Sequence, residues 1–396
     1  MKAYSLLIIL LLFPTVMAVE CGEWIYESTV LTEDLYCDSH QGLIINADNV
    51  VLDCDGHRIS NSFYHDGANV HVFDSTDVTI KNCVLNGTHV GVQIDAFALT
   101  LINPIDYLGL NKIINNTIHN TDYGIFIFGA KNNTITNNTV WNTILSAIDT
   151  SEAGNLNITG NKIYSRGEPL DIGASGNLII KDNNIDGGEA GAFSNLINSA
   201  ESLLFTNNIV KNVGELIFIN EIEGAIIVNN TFLFIDRLGT GIYFASGSNN
   251  ALVHNNVFYT NYYGVWGVNL LPSTNSNISN NNFTGMSRGV QAFTSGHVIE
   301  HNNFWVTTDK ASEDNGNSTW RNNYYLAYDE EEEGCYDSDQ NLVCDDPYPL
   351  YGGDNHDTKP YNQPSGWLKN FKRPSGSPIL MKKILTIALE PQEAGA

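Results

Sequence analysis

An asparagine followed by any residue and then a large apolar residue recurs along most of the chain. It begins as Asn82-Cys83-Val84, Asn116-Thr117-Ile118, Asn138-Thr139-Val140 and Asn161-Lys162-Ile163. It continues through Asn183-Asn184-Ile185, Asn207-Asn208-Ile209, Asn230-Thr231-Phe232 and Asn256-Val257-Phe258. It closes with Asn281-Asn282-Phe283, Asn302-Asn303-Phe304 and Asn322-Asn323-Tyr324. The steps between leading asparagines are 34, 22, 23, 22, 24, 23, 26, 25, 21 and 20 residues, the long first step holding an insertion around 96–110. A fixed period of this length is the mark of a solenoid or array.

Each repeat breaks into short β-like pieces between Asn and Gly, as in Gly124-Ile125-Phe126-Ile127-Phe128, then Lys131-Asn132-Asn133, then Thr134-Ile135-Thr136. No leucine frame recurs, and no apolar stripe runs at helical spacing. The pattern predicts an all-β fold, a right-handed parallel β-helix of about a dozen coils with strands stacked about 4.8 Å apart. Asparagines at equivalent turn positions then form a ladder, each side-chain amide bonding to the next coil. That ladder accounts for the 51 Asn without any chemistry.

The opening run, Gly42-Leu43-Ile44-Ile45-Asn46 and then Val50-Val51-Leu52-Asp53-Cys54-Asp55-Gly56-His57, resembles the first coil of NosD-like, pectate-lyase-like β-helix proteins. The ending resembles the closing segment of exported members: Trp320-Arg321-Asn322-Asn323-Tyr324-Tyr325, an acidic loop, then Cys344-Asp345-Asp346-Pro347-Tyr348. The resemblance covers roughly residues 20–361 and implies the fold. It leaves lyase, hydrolase, epimerase, binding and surface roles open, because folds host many functions. It also carries a copper association, but no copper site is evident in the sequence: the four Met form no cluster.

Residues 1–18 read as a signal peptide, with Lys2, the apolar run Leu6–Phe13 and small residues before the junction. The mature chain then has no transmembrane segment and is expected outside the cytoplasm, secreted or at the cell surface. Six cysteines in such a chain imply disulfides. The most local pairing joins Cys21 to Cys37, Cys54 to Cys83 and Cys335 to Cys344. Residues 19–41 are expected to cap the β-helix, 42–325 to form it, 326–361 to make an acidic C-terminal cap and 362–396 a basic tail. The formal charge of −25 argues against nucleic-acid partners.

Candidate chemistry lies in three places. Asp149 and Asp171 each stand 12 residues before a repeat asparagine, Asn161 and Asn183, so they share a slot in neighbouring coils. Carboxylates one strand spacing apart can share a proton, hold a cation, or act as acid and base on a sugar; the alternative is a solvated strand end. Arg166, just before the second strand, could pair with a substrate carboxylate. A second feature is the column Phe126, Ile148, Leu170, Phe193, Ile217, Tyr243, Trp266 and Gln291. Facing outward it would bind sugar rings, with Phe126, Tyr243 and Trp266 as anchors; a one-residue slip would make it core. The third is Asp337-x-Asp339-x-Asn341 followed by Asp345, which resembles an oxygen-ligand calcium loop, with Leu342 where such loops use glycine. Nine Asn-x-Ser/Thr sequons are possible glycan acceptors, several overlapping the ladder, where a buried Asn could not carry one.

The expectation is an exported β-helix protein that binds or processes carbohydrate, if an enzyme then a polysaccharide lyase, hydrolase or epimerase. The alternative is a structural or adhesive surface protein without catalysis.

Overall fold

In the computed structural model the chain is a parallel β-solenoid of about eleven turns. The structure describes residues 19–364 apart from 39–40, 62–66, 97–108, 175, 188–195, 213, 235–238, 262–263, 306–311, 315 and 353–354. The expected signal peptide, nearly all of the expected basic tail, most of the insertion and Phe193 therefore lie outside the described residues. The chain divides into two units, residues 1–204 with 208–214, and residues 205–207 with 215–396. Among the described residues the only helix is the 3-10 turn Glu331–Glu333, and none is long and apolar enough to cross a membrane.

In the first unit one coil comprises Asn133–Thr136, Thr139–Thr143 and Ser146–Ala153, and the next Leu156–Thr159, Lys162–Ser165 and Glu168–Ala174. The strands are short and β-branched, as a pleated, half-buried surface favours. They stack in parallel register, Ile135 on Ile158 and Ile158 on Ile180, Val140 on Ile163 and Ile163 on Ile185. These side chains are buried, so each coil contributes one layer to an aliphatic core.

The turn before Val140 and its equivalents holds the ladder. Asn116 Nδ2 donates to Asn138 Oδ1 (3.0 Å), Asn138 to Asn161 (3.1 Å), Asn161 to Asn183 (3.0 Å) and Asn183 to Asn208 (3.0 Å). Each Oδ1 also accepts a backbone N–H from the preceding rung, and each Nδ2 reaches a carbonyl of an earlier coil, as Asn183 does at Ile158. Buried amides are thereby satisfied on both sides. The residue before each rung has positive φ: 55° at Asn115 and Asn137, 56° at Asp182, 57° at Asn207. Asn and Asp tolerate that region, which explains the doubled Asn-Asn in the sequence. It also corrects the register of the repeat at three places. Asn82, Asn207 and Asn322 are the left-handed residues, while Cys83, Asn208 and Asn323 occupy the rungs. Sequon asparagines Asn115, Asn137 and Asn229 likewise precede rungs and are exposed, so overlap with the ladder does not bury them.

The second unit repeats this with a different core. Its rungs are Asn230, Asn256, Asn281, Asn302 and Asn323. Two residues after each rung stands an aromatic, giving the stack Phe232, Phe258, Phe283, Phe304 and Tyr325, with centroids 4.7, 4.8, 5.2 and 5.2 Å apart. Glycines make room for it: a Cβ at Gly267 would lie 2.5 Å from the Phe283 ring and 2.3 Å from the Gly289 carbonyl oxygen.

All three expected disulfides form, Cys21–Cys37, Cys54–Cys83 and Cys335–Cys344. The ladder of the second unit ends in a carboxylate. Asp357 Oδ2 accepts the Asn323 backbone N–H (3.0 Å), its Nδ2 (2.8 Å) and the Tyr325 hydroxyl (3.2 Å), and Oδ1 accepts the Lys359 N–H (3.0 Å).

Candidate acid–base face

The first unit gathers titratable side chains on one outward face. Asp149 and Asp171 are direct cross-strand partners, as their shared slot predicts. Phe126 pairs with Asp149, and Gln93 with Phe126. Between Ser146 and Asp149 the two residues Ala147 and Ile148 are both buried, and between Glu168 and Asp171 so are Pro169 and Leu170. The part-exposed Tyr123 and Glu168 therefore stand three residues before Phe126 and Asp171, and form a second column beside the first with the buried Ser146 between them. The small Ser146 lets Tyr123 and Glu168 act on one another across it.

Burial and like charge dominate the electrostatics. Burial, then the Asp171 carboxylate, pushes Asp149 up to about 6. Burial, then Asp171 and a hydrogen bond to it, pushes Glu168 up to about 7. Asp171 is raised by burial and held back by its interaction with Glu168. The Tyr123 hydroxyl is raised by burial and the surrounding carboxylates, Asp149 first. Desolvation penalises the charged form and a neighbouring anion penalises it again. Beside this group His89 Nδ1 lies 2.8 Å from Asp122 Oδ2, which leaves Nε2 as its second ring nitrogen. His71 and Gln93 both reach Asp95, at 2.9 and 2.6 Å.

The other candidates are placed as follows. Arg166 is exposed at the corner after Ser165, its backbone N–H on the Thr143 carbonyl. The column predicted from Phe126 mixes two faces. Ile148, Leu170 and Ile217 are fully buried core residues, whereas Phe126, Tyr243 and Trp266 are part-exposed. The two inward residues at each corner and the unequal coil lengths shift the count by one. In the second unit Tyr243 stacks on Phe218 at 5.3 Å, and the Arg288 guanidinium lies 4.8 Å from the Trp266 ring. In the acidic loop, Asp337 accepts the Asn341 and Leu342 backbone N–H groups and the Asn362 amide. Asp339 accepts from Asn341, and Asp345 from the Ser338 N–H at 3.0 Å. Leu342 takes φ 73°, the conformation glycine supplies in calcium loops.

Glu168, Tyr123 and the His89–Asp122 pair escaped the sequence reading. The signal was present: Glu168 stands three residues before Asp171 as Tyr123 does before Phe126. Strict alternation along a strand hides a three-residue offset.

Residues 24–175, 105–266 and 170–330 match the family described as periplasmic copper-binding protein (NosD). The chain belongs to the NosD family. No curated protein is similar enough to count as a relative. Among solved structures, a mutant of the periplasmic alginate epimerase AlgG shares 13% identity over 74% of this chain and 75% of that one, with a TM-score of 0.47. A mannuronic acid specific polysaccharide family 6 lyase from human gut microbiota shares 12% over 77% and 82%, at 0.46. PfbA, a surface adhesin of Streptococcus pneumoniae, shares 14% over 74% and 71%, at 0.30.

The described residues of this NosD-family chain do not fit copper, which favours thiolate, thioether and imidazole donors. All six Cys are in disulfides, and Met286 is buried in the core. His71 and His89 are each held by a carboxylate, and His119 lies flat on Trp141. No three His, Cys, Asp or Glu side chains are grouped to hold a metal among the described residues.

Proposed function

We propose that this NosD-family chain is an exported, carbohydrate-active protein whose first unit performs acid–base chemistry on a glycan at Asp149, Glu168 and Asp171. The observation that carries this reading is the convergence of those three carboxyls and Tyr123 on one outward face. Between about pH 6 and 7 Glu168 keeps its proton while Asp149 is ionised. Environments that hold neighbouring carboxyls in different protonation states assign an acid and a base. Glu168 then donates a proton to the glycosidic oxygen as the bond to it breaks. Asp149 takes a proton from the attacking water or faces the cationic sugar, the two-carboxylate logic of glycoside hydrolysis. Asp171, three residues along the same strand, helps keep the proton on Glu168. Export accords with the three disulfides, which persist in oxidising compartments.

The test is reducing-end release from a panel of polysaccharides by the purified chain. Activity should follow a bell with limbs near pH 6 and 7, and Glu168→Gln should abolish it. Cleavage by Glu168→Gln at the wild-type rate would remove the carboxyls from the reaction. Glycan binding with no cleavage at any pH would leave a rigid binding or adhesive scaffold, the second role expected of such a chain.

A further inference from the structure

One corner of the first unit exposes large apolar side chains that a soluble surface usually hides. Trp141 is 40% exposed, Ile144 45%, Leu145 46% and Tyr164 42%. Trp141 and Tyr164 are cross-strand partners in successive coils, and His119 precedes them in the same column. The His119 and Trp141 rings lie 4.5 Å apart and 4° from parallel, so one face of the indole is held against the imidazole. No ring contact joins Trp141 to Tyr164 among the described residues, and the other indole face carries no aromatic partner.

This corner is tied to the acid–base face by the backbone. The Leu145 N–H donates to the Asp122 carbonyl at 2.9 Å, and the Leu145 carbonyl accepts the Glu168 N–H at 2.7 Å. The apolar corner thus adjoins the strands that carry the carboxyls. Acids outnumber cations across it: Asp122, Asp149, Glu168 and Asp171 on the carboxyl side, against the exposed Arg166 and Lys162 at the corner. A chain with a carboxylate on every ring would meet like charge, and desolvated like charges repel strongly. An uncharged sugar chain fits both halves. Its C–H faces lie on aromatic and aliphatic side chains, and its hydroxyls donate to the ionised carboxylates, which accept only.

We infer that the glycan bound at this face is a neutral one, and that Trp141 and Tyr164 are its aromatic anchors beside the carboxyls. The inference rests on the acid–base reading above for the site, and on the exposed corner for the ligand. The wild-type chain, Trp141→Ala, Tyr164→Ala and the double carboxyl variant Asp149→Asn/Glu168→Gln are titrated with a soluble mixed-linkage β-glucan, a galactomannan, polygalacturonate and alginate. Wild type should bind at least one neutral polymer and neither acidic one. Trp141→Ala should weaken that binding about tenfold, the scale of one lost aromatic contact, with the cooperative melting transition retained. The carboxyl variant should still bind while losing cleavage. Preference for the uronate polymers, or unchanged neutral-glycan affinity in Trp141→Ala and Tyr164→Ala, overturns the inference. So does failure to bind either neutral polymer, including when Trp141→Ala lowers the sedimentation coefficient, which marks the corner as a contact with a second copy. Binding that needs Trp141 without any cleavage sinks only the acid–base reading; cleavage indifferent to Trp141 sinks only this one.

Discussion

The two units use one backbone plan with different fillings. In the first, the position two residues past each rung is aliphatic, Ile118, Val140, Ile163, Ile185 and Val210; in the second it is Phe232, Phe258, Phe283, Phe304 and Tyr325. The first unit places Tyr123, Asp149, Glu168 and Asp171 on an outward face, whereas the second buries His297 and Asp357. The ladder sets the coil and tolerates either core, because it satisfies the turn's polar groups independently of what packs beneath. What the filling changes is how much each layer contributes and how the unit responds to pH.

The largest expected effect is in the aromatic stack. Phe283→Ala should cost about 3–5 kcal/mol, against about 0.5–1.5 for Ile163→Val in the first unit, by denaturant titration. Gly267→Ala belongs to the same class, because the added methyl meets backbone as well as the Phe283 ring. If Phe283→Ala and Ile163→Val shift the midpoint equally, the aromatic column is not the stronger core.

Next come the rungs. Asn183→Ala removes bonds to Asn161, Asn208 and Ile158, and an unsatisfied buried polar group costs about 1–3 kcal/mol. Exposed Asn317→Ala should cost little. Asp357→Ala should resemble Asn183→Ala, since it strands the Asn323 amide and the Tyr325 hydroxyl. Matching melting temperatures for Asn183→Ala and Asn317→Ala would show a ladder that contributes nothing.

The pH responses should have opposite signs. His297 Nδ1 accepts the Ser276 N–H, and burial pushes the imidazole down to about 4. Its stabilising effect is complete above the unfolded value near 6.5 and is lost as pH falls toward 4. Asp149 and Glu168 are raised, so their effect is complete below the unfolded carboxyl values and is lost as pH rises through about 6 and 7. Asp357, raised by burial, pulls in the same direction as they do. His297→Asn should therefore flatten the acid limb of the stability profile, and Asp149→Asn the neutral limb. An acid limb unchanged in His297→Asn would break the contrast.

The smallest effect is expected in the acidic loop. Calcium should raise the melting temperature slightly in wild type and not in Asp337→Ala/Asp339→Ala, because backbone N–H groups already occupy those carboxylates. A large rise that survives both substitutions would place any cation elsewhere.

The repeat alone determined the coil, its period and the buried asparagine ladder, because each is a relation between equivalent positions in neighbouring coils; the disulfide pairing followed from proximity along the chain. Asp149 and Asp171 were legible for the same reason. What only the tertiary structure decided is which way each side chain points and what it meets. Asn-Asn leaves open which residue is the left-handed one and which the rung. The paired inward residues at each corner bring Glu168 beside Asp171 and put Ile148 in the core, one position before the residue that pairs with Phe126. The exposed stack of Trp141 on His119 joins residues 22 positions apart. A period counts residues along the chain, whereas a site depends on directions around the coil, and a corner changes direction without changing the count.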